Sequence, residues 1–140
     1  MVIQRWQSVW LLCAALLMVI FCFTPVFLIE APTPEHQFIT PCEMPIFLVV
    51  NILTALLLLV AIFLYRNTAR QKSVIVIAAF LIVACNIAEW CMYLGWGTVA
   101  EPLRWQGGVF LQLGALLFSI LALRCIRHDE KLLRAADRLR

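Results

Sequence analysis

Residues 45–65 read PIFLVVNILTALLLLVAIFLY and carry no charged side chain. A run of about 20 apolar residues, rising 1.5 Å per residue as a helix, matches a bilayer hydrocarbon core of roughly 30 Å. Lipid offers the backbone no hydrogen-bond partners, and a helix satisfies its own N–H and C=O groups, so this stretch reads as a membrane-spanning helix. Three more runs share the pattern: 9–28, VWLLCAALLMVIFCFTPVFL; 73–93, SVIVIAAFLIVACNIAEWCMY; and 105–123, WQGGVFLQLGALLFSILAL. The last is followed by a charged tail, 124–140. The first run is longer than a signal core and lacks a clean small-residue cleavage site, so it reads as a retained span.

The whole chain fits this picture. Its 140 residues are 64% hydrophobic and only 14% charged, with a mean hydropathy of +0.97. The expected fold is an all-α membrane protein, one domain over 1–140. Short loops make neighbouring spans antiparallel, giving an up-down-up-down four-helix bundle with a cytoplasmic C-terminal helical extension.

Basic residues set the orientation. Of the 11 Lys and Arg residues, all but Arg104 fall on one side of the four spans. The first loop, 30–44, carries Glu30, Glu35 and Glu43 and no Lys or Arg. The positive-inside rule puts both termini in the cytoplasm of a bacterial inner membrane. The net charge of +3 reflects this asymmetry and gives no reason to expect nucleic acid.

Helices in lipid associate through small and weakly polar faces. Gly108, Gln112, Ala115, Ser119 and Ala122 make one such face. Asn51, Thr54, Ala55, Leu58 and Tyr65 make a second. Ile75, Ala79, Ile82, Asn86 and Glu89 make a third, and Ser8, Ala15 and Cys22 a fourth. Counted along their helices, Asn51, Asn86, Glu89 and Gln112 lie at similar depth, roughly 6 to 11 Å below the outer interface. They are expected to converge as an intramembrane polar cluster. An acid within a span is a functional candidate. The bland alternative is a structural clamp, with Glu89 neutral or paired to Arg104.

Chemistry-bearing motifs are few. The six cysteines contain no C-x-x-C. A Cys42–Cys91 disulfide is conceivable on the outer side, although buried cysteines acting as small hydrophobes are the default. His36 and His128 fall on opposite sides, so no metal or haem site is expected. No phosphate-binding loop or nucleophile elbow occurs. Neither a catalytic constellation nor a cofactor is expected.

The tail, RHDEKLLRAADRLR, mixes basic residues with Asp129, Glu130 and Asp137. A plain topology anchor has no need of those acids. Arg5 is placed to pair with Asp137 or Glu130 and tie the tail to the first span. The start MVIQRWQSVWLL, the inner loop FLYRNTARQ and this tail resemble an uncharacterised family of four-span inner-membrane proteins of the Bacteroidetes. That family opens on an IQR-x-Q-S/T-V segment and closes on a DEKL-x-R-x-x-DRLR segment. The resemblance implies fold and location but no activity. Here its motifs fall on Gln4, Arg5 and Gln7, and on Asp129, Glu130, Lys131, Arg134, Asp137, Arg138 and Arg140.

All those positions lie on the cytoplasmic side, which favours a non-enzymatic accessory or scaffold subunit. Its partners would be the bilayer and a membrane or cytoplasmic protein, or a second copy of the chain. Two other readings stay open: a minimal proton-coupled transporter using Glu89, and a quinone- or thiol-linked redox protein.

Overall fold

A computed structural model describes residues 2–29, 37–96 and 103–138, with side chains described for 6–28, 38–95 and 104–136. Four helices carry the fold: α1 (Val2–Phe23), α2 (Pro45–Phe63), α3 (Thr68–Trp96) and α4 (Gly108–Arg138). Each is long and apolar enough to cross a membrane. They pack in a ring, α1 on α2, α2 on α3 and α3 on α4, closed by the extensive α1–α4 contact.

Local chemistry sets the helix ends. Pro25 has no N–H and disfavours the helical conformation at Thr24, so α1 stops at Phe23. Thr24 Oγ1 then donates to the Ile20 carbonyl at 2.9 Å. Pro45 opens α2, where its fixed φ suits the first helical position. Between α2 and α3 the chain turns through a 3₁₀ segment, Leu64–Arg66. Asn67 caps α3, its Oδ1 accepting from the Arg70 N–H at 3.2 Å.

A three-stranded antiparallel sheet joins β1 (Phe27–Ile29), β2 (Gln37–Ile39) and β3 (Leu103–Trp105), in the order β2-β1-β3. Phe27 pairs with Ile39 on one side and Trp105 on the other. Residues 24–28 and 105, read from sequence as parts of two spans, therefore belong to this cap. A short apolar run does not distinguish strand from helix; Pro25 settles it. Phe27, Trp90, Tyr93 and Trp105 lock the cap onto α3, with ring centroids 5.1 to 5.6 Å apart for the three pairs made by Trp105.

The bundle interior follows a heptad-like seam. Buried positions include 7, 11, 14, 18 and 21 on α1, with Ala15 and Cys22 beside them, and 51, 54, 58 and 61 on α2, with Ala55 beside them. On α3 they are 71, 75, 78, 82, 85 and 89, and on α4 they include 112, 115, 119, 122 and 126. Alternating steps of three and four are the spacing that lets side chains of neighbouring helices interlock. Tyr65 does not join the face proposed for it and is 53% exposed, because the helix gives way to the 3₁₀ turn there.

Large apolar side chains cover much of the exterior. Phe63, Phe80 and Phe110 are 70–77% exposed, whereas Gln7, Asn51, Gln71, Glu89 and Gln112 are buried. Such a surface is a liability in water and ordinary against lipid. The chain is a small multi-pass membrane protein.

Candidate functional site

Two layers of buried polar side chains bracket the apolar seam, one beneath the sheet and one at the end holding both termini. The sheet-end layer contains Asn51, Glu89 and Gln112, from α2, α3 and α4. Gln112 Nε2 donates to Glu89 Oε1 at 2.9 Å, and Glu89 is 2% exposed. The carboxylate does not pair with Arg104, as one reading of the sequence had it. Glu89 Oε2, Gln112 Oε1 and both polar atoms of Asn51 have no hydrogen-bond partner among the described residues. Glu89 also borders a cavity of about 10 Å³, walled by Val26, Phe27, Thr40, Met44 and Phe47. That is close to the least volume that holds one water.

Asn86 does not join this layer. The seam runs from Cys85 to Glu89, and Asn86 is rotated off it by about 100°, one residue of helix. Its Nδ2 donates to the Ile82 carbonyl of its own helix at 2.9 Å. The side chain lines an apolar groove of about 590 Å³ between α3 and α4, with Val83, Ile87, Trp90, Trp105 and Phe110.

The second layer lies where the seam continues one step past Ile126, to Asp129. Gln7 Nε2 donates to Asp129 Oδ2, joining α1 to α4. Lys72 Nζ meets Glu130 Oε2 at 2.8 Å, joining α3 to α4. That hydrogen bond, helped by Thr68 and Arg134, holds the Glu130 carboxyl below the usual carboxylate range. Gln71 is 2% exposed, with Oε1 unpartnered among the described residues, as is Asp129 Oδ1.

Thus three motif residues singled out from sequence, Gln7, Asp129 and Glu130, make contacts within the chain. Glu130 pairs with Lys72; the Arg5 side chain, its expected partner, lies outside the described residues. The side chains of Gln4, Arg5, Asp137 and Arg138, and residue Arg140, lie outside the described ones. Lys131 and Arg134 are exposed. Sequence reasoning missed Gln71 and counted Lys72 only as a topology charge. The missed signal was spacing, since Gln71 begins the series completed by Ile75, Ala78 and Ile82.

Between the layers the seam offers two hydroxyls, and both are spent locally. Thr54 Oγ1 donates to the Val50 carbonyl at 2.7 Å, and Ser119 Oγ to the Ala115 carbonyl at 2.8 Å. Among the described residues no three His, Cys, Asp or Glu side chains group as metal ligands.

The six cysteines are free. The Cys42–Cys91 pairing, conceivable from the sequence, is not formed: Cys91 is exposed on α3, and Cys42 Sγ instead donates to the Cys22 carbonyl at 2.9 Å.

The chain belongs to the family described as Domain of unknown function (DUF4293), which matches residues 3–139. No curated protein and no solved structure matches it.

Proposed function

We propose that this membrane protein is a non-enzymatic accessory or scaffold subunit. It holds both termini in the cytoplasm of a bacterial inner membrane and docks a partner protein there. The observation that supports this is the course of α4. The helix runs on unbroken past its contacts with Gln7 and Lys72 to Arg138. Beyond them Leu132 and Leu133 are 49% and 65% exposed, flanked by the exposed Lys131 and Arg134. An exposed leucine pair edged by basic side chains suits a helix end that packs on another protein. Gln7, Asp129 and Glu130 hold the base of that helix rather than its contact face.

The test compares the intact chain with one ending after Lys131, which keeps the Asp129 and Glu130 contacts. Both are purified gently from native membranes and their companions identified by mass spectrometry. The expected result is a stoichiometric protein partner with the intact chain and its loss, by tenfold or more, with the shortened one. Two equally folded forms that both purify alone would overturn the reading.

A second reading, a proton-coupled carrier, draws on Glu89 beside its water-sized cavity. Weighing against it is the apolar seam between the two layers. Glu89→Gln keeps an acceptor for Gln112 and removes the charge. In liposomes bearing a pH gradient, the accessory reading expects identical proton flux with wild type and Glu89→Gln. Flux in the wild type that the substitution abolishes would favour the carrier. Glu89→Leu, which strands the Gln112 amide, is expected to cost about 1 kcal/mol of stability.

A further inference from the structure

Cys42 sits in the 3₁₀ turn Pro41–Glu43 that joins the sheet to α2, and Cys22 in the last turn of α1. These two segments pack together. Cys42 Sγ lies 2.9 Å from the Cys22 carbonyl oxygen. Standard bond lengths put that oxygen about 2.4 Å from the Cys22 Cα, so the Cys42 sulfur lies within roughly 5.3 Å of it. Cys22 Sγ makes only a long contact, 3.4 Å, to the Met18 carbonyl of its own helix. A change of χ1 rotamer releases it from there. The Cys42 thiol therefore rests against the backbone of Cys22, and each thiol donates to a backbone carbonyl of α1.

We propose that Cys22 and Cys42 are disulfide partners in the mature membrane protein, stapling the sheet-bearing cap to the first span. The oxidising compartment this requires rests on the orientation proposed above. Cys42, the less buried thiol, enters first. Its thiolate attacks the disulfide of an oxidoreductase partner, one partner sulfur leaves as thiolate, and a mixed disulfide forms. The Cys22 thiolate then attacks the Cys42 sulfur and expels the second partner sulfur. Two S–H bonds and the partner disulfide are lost. One S–S bond forms in this chain, and the partner ends as a dithiol carrying the two protons and two electrons.

The bond closes a loop of roughly 20 residues and stabilises the cap by restricting the unfolded chain. The pair also accounts for a cysteine in a segment otherwise poor in chemistry, and Cys91 takes no part in it.

The experiment uses the full chain in native membranes, quenched in acid, alkylated with N-ethylmaleimide and digested with a Glu-specific protease. Cleavage after Glu30, Glu35 and Glu43 separates Cys22 from Cys42, which leaves in the peptide HQFITPCE. The expected result is HQFITPCE linked to the peptide containing Cys22 in most copies, freed by reduction and absent from Cys22→Ser. Recovery of HQFITPCE alkylated without prior reduction would overturn the proposal, as would its linkage to the peptide containing Cys91. Labelling of Arg104→Cys on intact cells with an impermeant maleimide reports the orientation separately. A labelled Arg104→Cys with a free Cys42 convicts the pairing; an unlabelled one convicts the orientation.

Discussion

Gly108→Leu is expected to destabilise the bundle by about 3 kcal/mol, the upper end of the usual overpacking cost. A Cβ at position 108 would stand 2.8 Å from the Pro25 carbonyl oxygen and 3.3 Å from its carbon. Those are backbone atoms, fixed on either side by pairing: Val26 N–H bonds the Ile39 carbonyl at 2.9 Å, and Gln106 N–H the Val26 carbonyl at 2.8 Å. Neither can swing away as a side chain does, so the start of α4 must separate from the end of α1. Gln112, one turn further along α4, then loses its register with Glu89. Gly107→Ala is the control, since a Cβ there meets nothing within 4 Å. Thermal unfolding in detergent, followed by circular dichroism, should show a large drop for Gly108→Leu, a smaller one for Gly108→Ala and none for Gly107→Ala. Equal stability of all three would mean that α4 does not approach the turn after α1 this closely.

The second large effect is expected at the opposite end. Asp129→Ala leaves the Gln7 amide, itself 5% exposed, without its acceptor. Stranding a buried polar group beside a lost charged partner costs about 1–3 kcal/mol. Gln7→Ala should cost a similar amount, because it removes the donor to a carboxylate whose Oδ1 is already buried without a partner among the described residues. The double substitution should cost little more than Asp129→Ala alone, giving a coupling energy of about 1 kcal/mol. Additive single effects would show that the two side chains do not act together. Lys72→Ala should be milder than Asp129→Ala, since the Lys72–Glu130 pair is partly open to solvent.

Gln7 and Asp129 belong to the two terminal motifs by which the chain resembles its family. Their contact gives those motifs a shared structural role, which is to close the end of the bundle where the chain begins and where α4 leaves. The contact face proposed for a partner is then the part of α4 past Glu130, not the motif as a whole.

Much of this architecture was legible in the sequence. The steps of four and three in Gly108, Gln112, Ala115, Ser119 and Ala122 named the buried face of α4 residue by residue. Depth arithmetic along two separate helices brought Glu89 and Gln112 to one level, and they are hydrogen-bonded. Both inferences work because a helix is a rigid ruler: rise and rotation per residue are fixed by backbone bonds made within a few residues. Where the ruler changes, the reading failed. Residues 27–29 are apolar enough for a span but lie beyond Pro25 and form the central strand of a sheet. Asn86 shares a broad face with Glu89, yet its rotation relative to the seam sends it to the groove beside α4.

The sequence by itself determined four apolar helices and the small and polar character of their inward faces. Hydrophobic length and backbone self-satisfaction are local properties, and a bilayer leaves no other way to meet them. Only the tertiary structure decided which polar groups pair: Gln7 with Asp129, Lys72 with Glu130, Glu89 with Gln112, and Cys42 beside Cys22. Those choices depend on the mutual rotation and sliding of whole helices, where one residue of rotation is about 100° and one of translation about 1.5 Å. Such shifts are set by the sum of packing along the seam, which no single stretch of sequence contains.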